Sequence, residues 1–134
     1  MFRKFDAGAG VRIPANKGRD CSVRALCTAT GMRYSDAWTL LYTHQGENRL
    51  CHMQLGLALD AQDPRFGVVR KLSFPAQKGQ PRMTPATFCL EYPRGSYILN
   101  LAQHDLAVED GHYFDTWDCG TKCVYCAWEV RKAA

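Results

Sequence analysis

Asp105-Leu106-Ala107-Val108-Glu109-Asp110-Gly111-His112-Tyr113-Phe114-Asp115-Thr116-Trp117 decides how the second half of the chain folds. Asp110-Gly111 is a strong two-residue hairpin signal, because Asp and Gly tolerate the positive φ that a type I′ turn demands. The flanking runs, Asp105 to Glu109 and His112 to Trp117, read as the paired strands. A two-residue turn sets the register: Glu109 faces His112, Val108 faces Tyr113, Leu106 faces Asp115 and His104 faces Trp117. Side chains alternate along a strand, so His104, Leu106, Val108, Tyr113, Asp115 and Trp117 share one face. His112 and Phe114 point to the other. His104 and Asp115 become diagonal neighbours, roughly 7–8 Å apart by Cα and within side-chain reach.

Outward from the hairpin, period two continues in Ser96 to Ala102 and in Val124 to Val130. Upstream the period changes. Thr84-Pro85 opens a helix, with Thr84 as cap, Pro85 at its first position, and Phe88, Cys89 and Tyr92 inside. Pro75 to Arg82 reads as loop, Val68 to Phe74 as a short strand, and Asp63 to Gly67 as a turn. Met53 to Ala61 and Tyr34 to Thr43 read as helices, the latter burying Tyr34, Ala37, Trp38 and Leu41. Met1 to Arg19 reads as an irregular lead-in, with a short strand at Gly10 to Ile13. The pattern of helices first and antiparallel sheet second predicts an α+β layout in a single domain spanning residues 1–134.

The first strong helix is Asp20-Cys21-Ser22-Val23-Arg24-Ala25-Leu26-Cys27-Thr28-Ala29-Thr30-Gly31. Asp20 suits the N-cap and Gly31 the left-handed C′ position. Val23, Leu26, Cys27 and Thr30 fall at i, i+3, i+4 and i+7 and form the apolar face. Cys21 is off that face, in the first turn. A helix N-terminus presents unpaired N–H groups and partial positive charge, which favour a thiolate and can hold an oxyanion. Cys21 is therefore a candidate nucleophile, set against the plainer reading of a small buried hydrophobe. A nucleophile needs a base. His104 can take the thiol proton, and Asp115 can fix its tautomer and stabilise the imidazolium. His44 and His52 read as loop or surface residues.

Composition narrows the classes. Hydrophobic content is 46% and charged content 22%, as in ordinary globules. No apolar run approaches the roughly 18 residues of a membrane span. Met1 to Asp6 lacks an apolar signal core, so the expectation is a cytoplasmic protein whose seven cysteines are free thiols. The net charge of +4 is scattered, which argues against nucleic acid as a partner. Cys119-x3-Cys123-x2-Cys126 has the spacing of a radical-SAM iron–sulfur motif, but that motif opens a far larger barrel. As a zinc site it needs a fourth ligand from Cys51, His52, Cys89 or His112. The expectation is no metal and no cofactor, with Cys119 to Lys122 as a turn. A small zinc-stabilised nucleic-acid binder is the weaker reading.

The string Asp20-Cys21-Ser22-Val23-Arg24-Ala25-Leu26, with Gly95-Ser96-Tyr97-Ile98-Leu99-Asn100, His104, Asp110-Gly111 and Asp115-Thr116-Trp117-Asp118, resembles the small papain-like cysteine peptidases. The likeness runs in order from about Lys17 to Val130, only generally in the middle. It is nearest in style to short phage and bacterial proteins and more distant from bacteriocin-processing peptidase domains. The resemblance implies a nucleophile helix packed on an antiparallel sheet, with Cys21 as nucleophile, His104 as base and Asp115 as orienting residue. It implies a peptide or protein substrate and an acyl-thioester intermediate. Such enzymes place a Gln just upstream of the Cys for the oxyanion hole; here Ala15 stands there, and Asn16 is the nearest amide. The alternative is a non-catalytic binding protein on the same scaffold, such as a phage-encoded modulator of a host protein in the host cytoplasm. The peptidase reading expects the helix bearing Cys21 to pack on the His104 face, against Leu106, Val108 and Tyr113.

Overall fold

In the computed structural model residues 1–5, 21–45 and 52–132 are described. The cap at Asp20, the strand at Gly10 to Ile13, and Ala15, Asn16 and Cys51 lie outside them, as do the side chains of His44 and His52. Among the described residues the order is β1 (Phe2–Lys4), α1 (Cys21–Thr30), α2 (Tyr34–Gln45), α3 (His52–Asp60), a short 3-10 turn (Pro64–Phe66), β2 (Val68–Ser73), α4 (Pro85–Glu91), β3 (Ser96–Leu101), β4 (His104–Glu109), β5 (His112–Asp115) and β6 (Val124–Val130). The layout is α+β, with four helices and a six-stranded sheet ordered β1-β5-β4-β3-β6-β2.

The hairpin register is the one the turn chemistry dictates. Asp110 and Gly111 both take positive φ, 47° and 81°. Glu109 pairs with His112, Val108 with Tyr113 and Ala107 with Phe114. Thr84 caps α4 by accepting from the Thr87 N–H, with Pro85 in the first turn. Gly31 ends α1 in the left-handed region, its N–H bonded to the Cys27 carbonyl.

The sheet is mixed, not purely antiparallel. Phe2–Lys4, within the stretch expected to be irregular, runs parallel to β5, with Phe2 opposite Tyr113 and Lys4 opposite Asp115. Three residues, two of them cationic, carry too little alternation to be read as a strand. Their pairing comes from the neighbour: the Phe2 ring lies 5.6 Å from that of Tyr113, and the Met1 ammonium donates to the Gly111 carbonyl.

Each face of the sheet buries its own core. On one face Ile98, Ala107, Trp128 and Val130 meet Val23, Leu26 and Ala29 of α1 and the inner sides of α2 and α3. On the other, Tyr97, Leu99, Leu106, Val108 and Tyr113 meet Phe88 and Cys89 of α4. Each fully buried Leu or Phe here contributes about 1.5–3 kcal/mol. The helix bearing Cys21 therefore packs on the face opposite to the one expected. Leu106, Val108 and Tyr113 are taken by α4, whose stacked and edge-on rings (Phe88, Tyr92, with Tyr97 and Phe74) fill that side. α1 takes the side where small Ala107 lets a helix approach closely.

Asp105 points to the α1 side and is buried, accepting from Ser22 Oγ at 2.9 Å and from Asn100 Nδ2 at 3.2 Å. Burial pushes its carboxyl up to about 7, against the pull of those bonds and of His104. A carboxyl raised above its unfolded value of 3.8 erodes stability as pH climbs from there to about 7. Asp105→Asn keeps the bonding, because a hydroxyl donates or accepts as required. The variant is expected to gain stability over the parent at about pH 8 and little at about pH 4, read by urea unfolding at both.

Candidate functional site

His104 opens β4 directly after a tight turn in which Gln103 takes φ 53°, and Asp115 closes β5. Both therefore sit at one end of the sheet. The His104 Nε2 and Asp115 Oδ2 are hydrogen-bonded. The other Asp115 oxygen, Oδ1, accepts from Arg24 Nη1 at 2.6 Å and from the Thr116 N–H at 2.7 Å. The carboxylate is 2% exposed and His104 13%, so the pair is mostly dry. The Trp117 ring lies 5.3 Å from the imidazole.

Although α1 packs on the opposite face, its first turn reaches this end. Ser22 is tied to Asp105 and Arg24 to Asp115, so two residues that directly follow Cys21 in the first turn are fastened to the strands that carry the pair. The Cys21 thiol is partly exposed, and hydrogen bonding with it is among the influences that raise His104. With Nε2 engaged by Asp115, Nδ1 is the ring nitrogen left for a thiol.

A second thiol shares the ring. Cys119 is 1% exposed, with Sγ 3.8 Å from Asp115 Oδ2, and hydrogen bonding with it raises His104 as well. Its loop is held by Asp118, whose Oδ1 accepts from the Tyr113 hydroxyl at 2.7 Å and from the Gly120 N–H at 2.9 Å. Only glycine fits at position 120: a Cβ would lie 2.1 Å from the Tyr113 hydroxyl oxygen. The loop thus rests directly on Tyr113 and drops Cys119 beside the pair.

Burial alone would pull His104 down, but hydrogen bonding with Asp115, then with Cys119 and Cys21, and the Asp115 charge lift it to about 11. Burial opposes ionisation of Asp115 too, and the bond and charge of His104, with Arg24 and Thr116, hold it below the usual carboxylate value. At neutral pH the site holds an imidazolium on a carboxylate.

The three cysteines of the Cys119-x3-Cys123-x2-Cys126 motif do not gather. Cys119 belongs to the α4-side core, while Cys126 packs against the α1-side core across the sheet. Among the described residues, the one group of three metal-capable donors is His104, Asp115 and Cys119. Ser22, Arg24 and Asp105 are the site residues that sequence reasoning did not single out, and Cys119 drew notice only as part of the Cys119-x3-Cys123-x2-Cys126 motif. The neighbours of Cys21 and His104 on the alternate faces were the available signal for the first three.

Comparison with protein-family models, with curated proteins and with solved structures finds no match to this chain. Among the described residues no helix is long and apolar enough to cross a membrane.

Proposed function

We propose that the chain is a papain-like thiol hydrolase, most simply a cysteine peptidase, acting on a peptide or protein in the cytoplasm. The observation that supports it best is Cys21, the first residue of a ten-residue helix, beside a hydrogen-bonded His104–Asp115 pair that Arg24 and the Thr116 N–H hold in place, with Ser22 tied to the neighbouring Asp105. With His104 protonated at neutrality, the competent state is the one in which Cys21 has shed its proton. The thiolate attacks the carbonyl carbon. The first-turn N–H groups of α1 bond the oxyanion. The imidazolium gives its proton to the leaving amine as the C–N bond breaks, leaving an acyl-thioester. Water then attacks the thioester, His104 takes a water proton, and the acid leaves with Cys21 again a thiolate. Asp115 holds the ring throughout. Asn16, the amide nearest the helix start in sequence, is proposed as a further oxyanion donor.

The test is selective modification. Burial pushes the thiols of Cys27, Cys89 and Cys119 up, so all three resist alkylation at neutral pH. Limiting iodoacetamide with peptide mapping is expected to modify Cys21 first, and a peptidyl electrophile aimed at thiol hydrolases to label it alone. Labelling of Cys123 ahead of Cys21, or no labelling by the peptidyl probe, would favour the binding protein on the same scaffold.

A further inference from the structure

We propose that His104, Asp115 and Cys119 form a binding site for a divalent zinc-type ion, in which Cys119 and not Cys21 is the thiolate ligand. The donor atoms of the three residues lie within 4.8 Å of one another. Tetrahedral zinc bound by sulfur, nitrogen and oxygen places its ligands about 3.5 Å apart, so side-chain adjustments of about 1 Å close the site. The donor set is soft thiolate, imidazole and one carboxylate oxygen, which suits zinc or cobalt and not calcium or magnesium.

The outer contacts favour the same assignment. Arg24 and the Thr116 N–H both bind Oδ1 of Asp115, which leaves Oδ2 turned toward His104 and Cys119. A carboxylate fixed through one oxygen is what orients the other as a ligand. Cys119 is held by a loop pinned through Asp118, Tyr113 and Gly120, so its thiol needs no rearrangement of the fold to reach the ion. On binding, the Cys119 thiol proton and the imidazole proton pass to solvent. Three protein ligands leave a fourth position open, for water or an exchangeable ligand.

The site stands on these three residues alone. Its consequence, that a bound ion takes the imidazole and carboxylate away from Cys21 and stops thiol chemistry, rests on the function proposed above. The experiment separates the two. The reduced full chain, in a phosphine reductant, is titrated with cobalt(II) and followed by absorption. A thiolate-to-cobalt charge-transfer band with intense tetrahedral d–d bands is expected at one equivalent, displaced by one equivalent of zinc. Cys21→Ser and the Cys123→Ser, Cys126→Ser double variant should keep the band, and Cys119→Ser and His104→Ala should lose it. No band in the parent chain, or a band lost in the double variant and kept in Cys119→Ser, overturns the site. Alkylation of Cys21 in excess chelator reports on the thiol hydrolase separately, whichever way the metal result falls.

Discussion

Replacing His104 with alanine is expected to lower hydrolysis of an activated peptide ester by about 10²–10⁴-fold, the usual size of a lost general acid–base partner. The fold should survive the change. Asp115 keeps Arg24 and the Thr116 N–H, and the hairpin is set by Asp110-Gly111 at its far end. Far-ultraviolet circular dichroism checks the fold and stopped-flow absorbance the rate. Activity within a few-fold of the parent, with Cys21 still labelled, would mean that His104 is not the proton carrier.

The largest stability effect is expected at Asp115. Its carboxylate is 2% exposed and shared by two cations, Arg24 at 11% and His104 at 13%. Asp115→Ala removes the anion and leaves the imidazolium buried without it. Breaking such a pair from one side costs about 3–5 kcal/mol, against less than 1 kcal/mol for a surface bridge. For a chain of this size that is a drop of about 10–20 °C in Tm. The pH dependence identifies the pair. His104 is raised from 6.5 to about 11, so its contribution is full below about 6.5 and is lost as pH rises through about 11. Asp115 is lowered from 3.8, so its contribution is full above that value and is lost as pH falls through the depressed one. The parent should therefore lose stability from about pH 6.5 toward 11, and Asp115→Ala should flatten that slope. An equal slope in the variant would place the alkaline loss elsewhere.

How much of this could be read in the sequence depends on the range of the interaction. Asp110-Gly111 specifies positive φ at two adjacent positions, and alternation then carries the register outward until His104 and Asp115 meet. Thr84-Pro85 and Gly31 are equally local. The choice of face for α1 is not. Alternation says that Leu106 and Val108 lie on the opposite side from Ala107, but all three are buried, and neither side is marked as the one a particular helix will cover. That is settled by α4, which brings the larger aromatic surface. Cys119 was hidden for a related reason. Its place is set by the fit of Gly120 against the Tyr113 hydroxyl, a contact between residues with no periodic relation. The Cys-x3-Cys-x2-Cys spacing pointed instead to a set whose last member, Cys126, the sheet keeps on its other side.

The tethers at Ser22 and Arg24 bear on how α1 moves. The start of an α-helix is its weakest part, since the first amides lack partners within the helix and fray readily. Here the first turn is held to β4 and β5 by two side chains that follow Cys21, those of Ser22 and Arg24. Fraying at that end therefore requires both crosslinks to open together, and the thiol keeps its bearing on the ring while they hold.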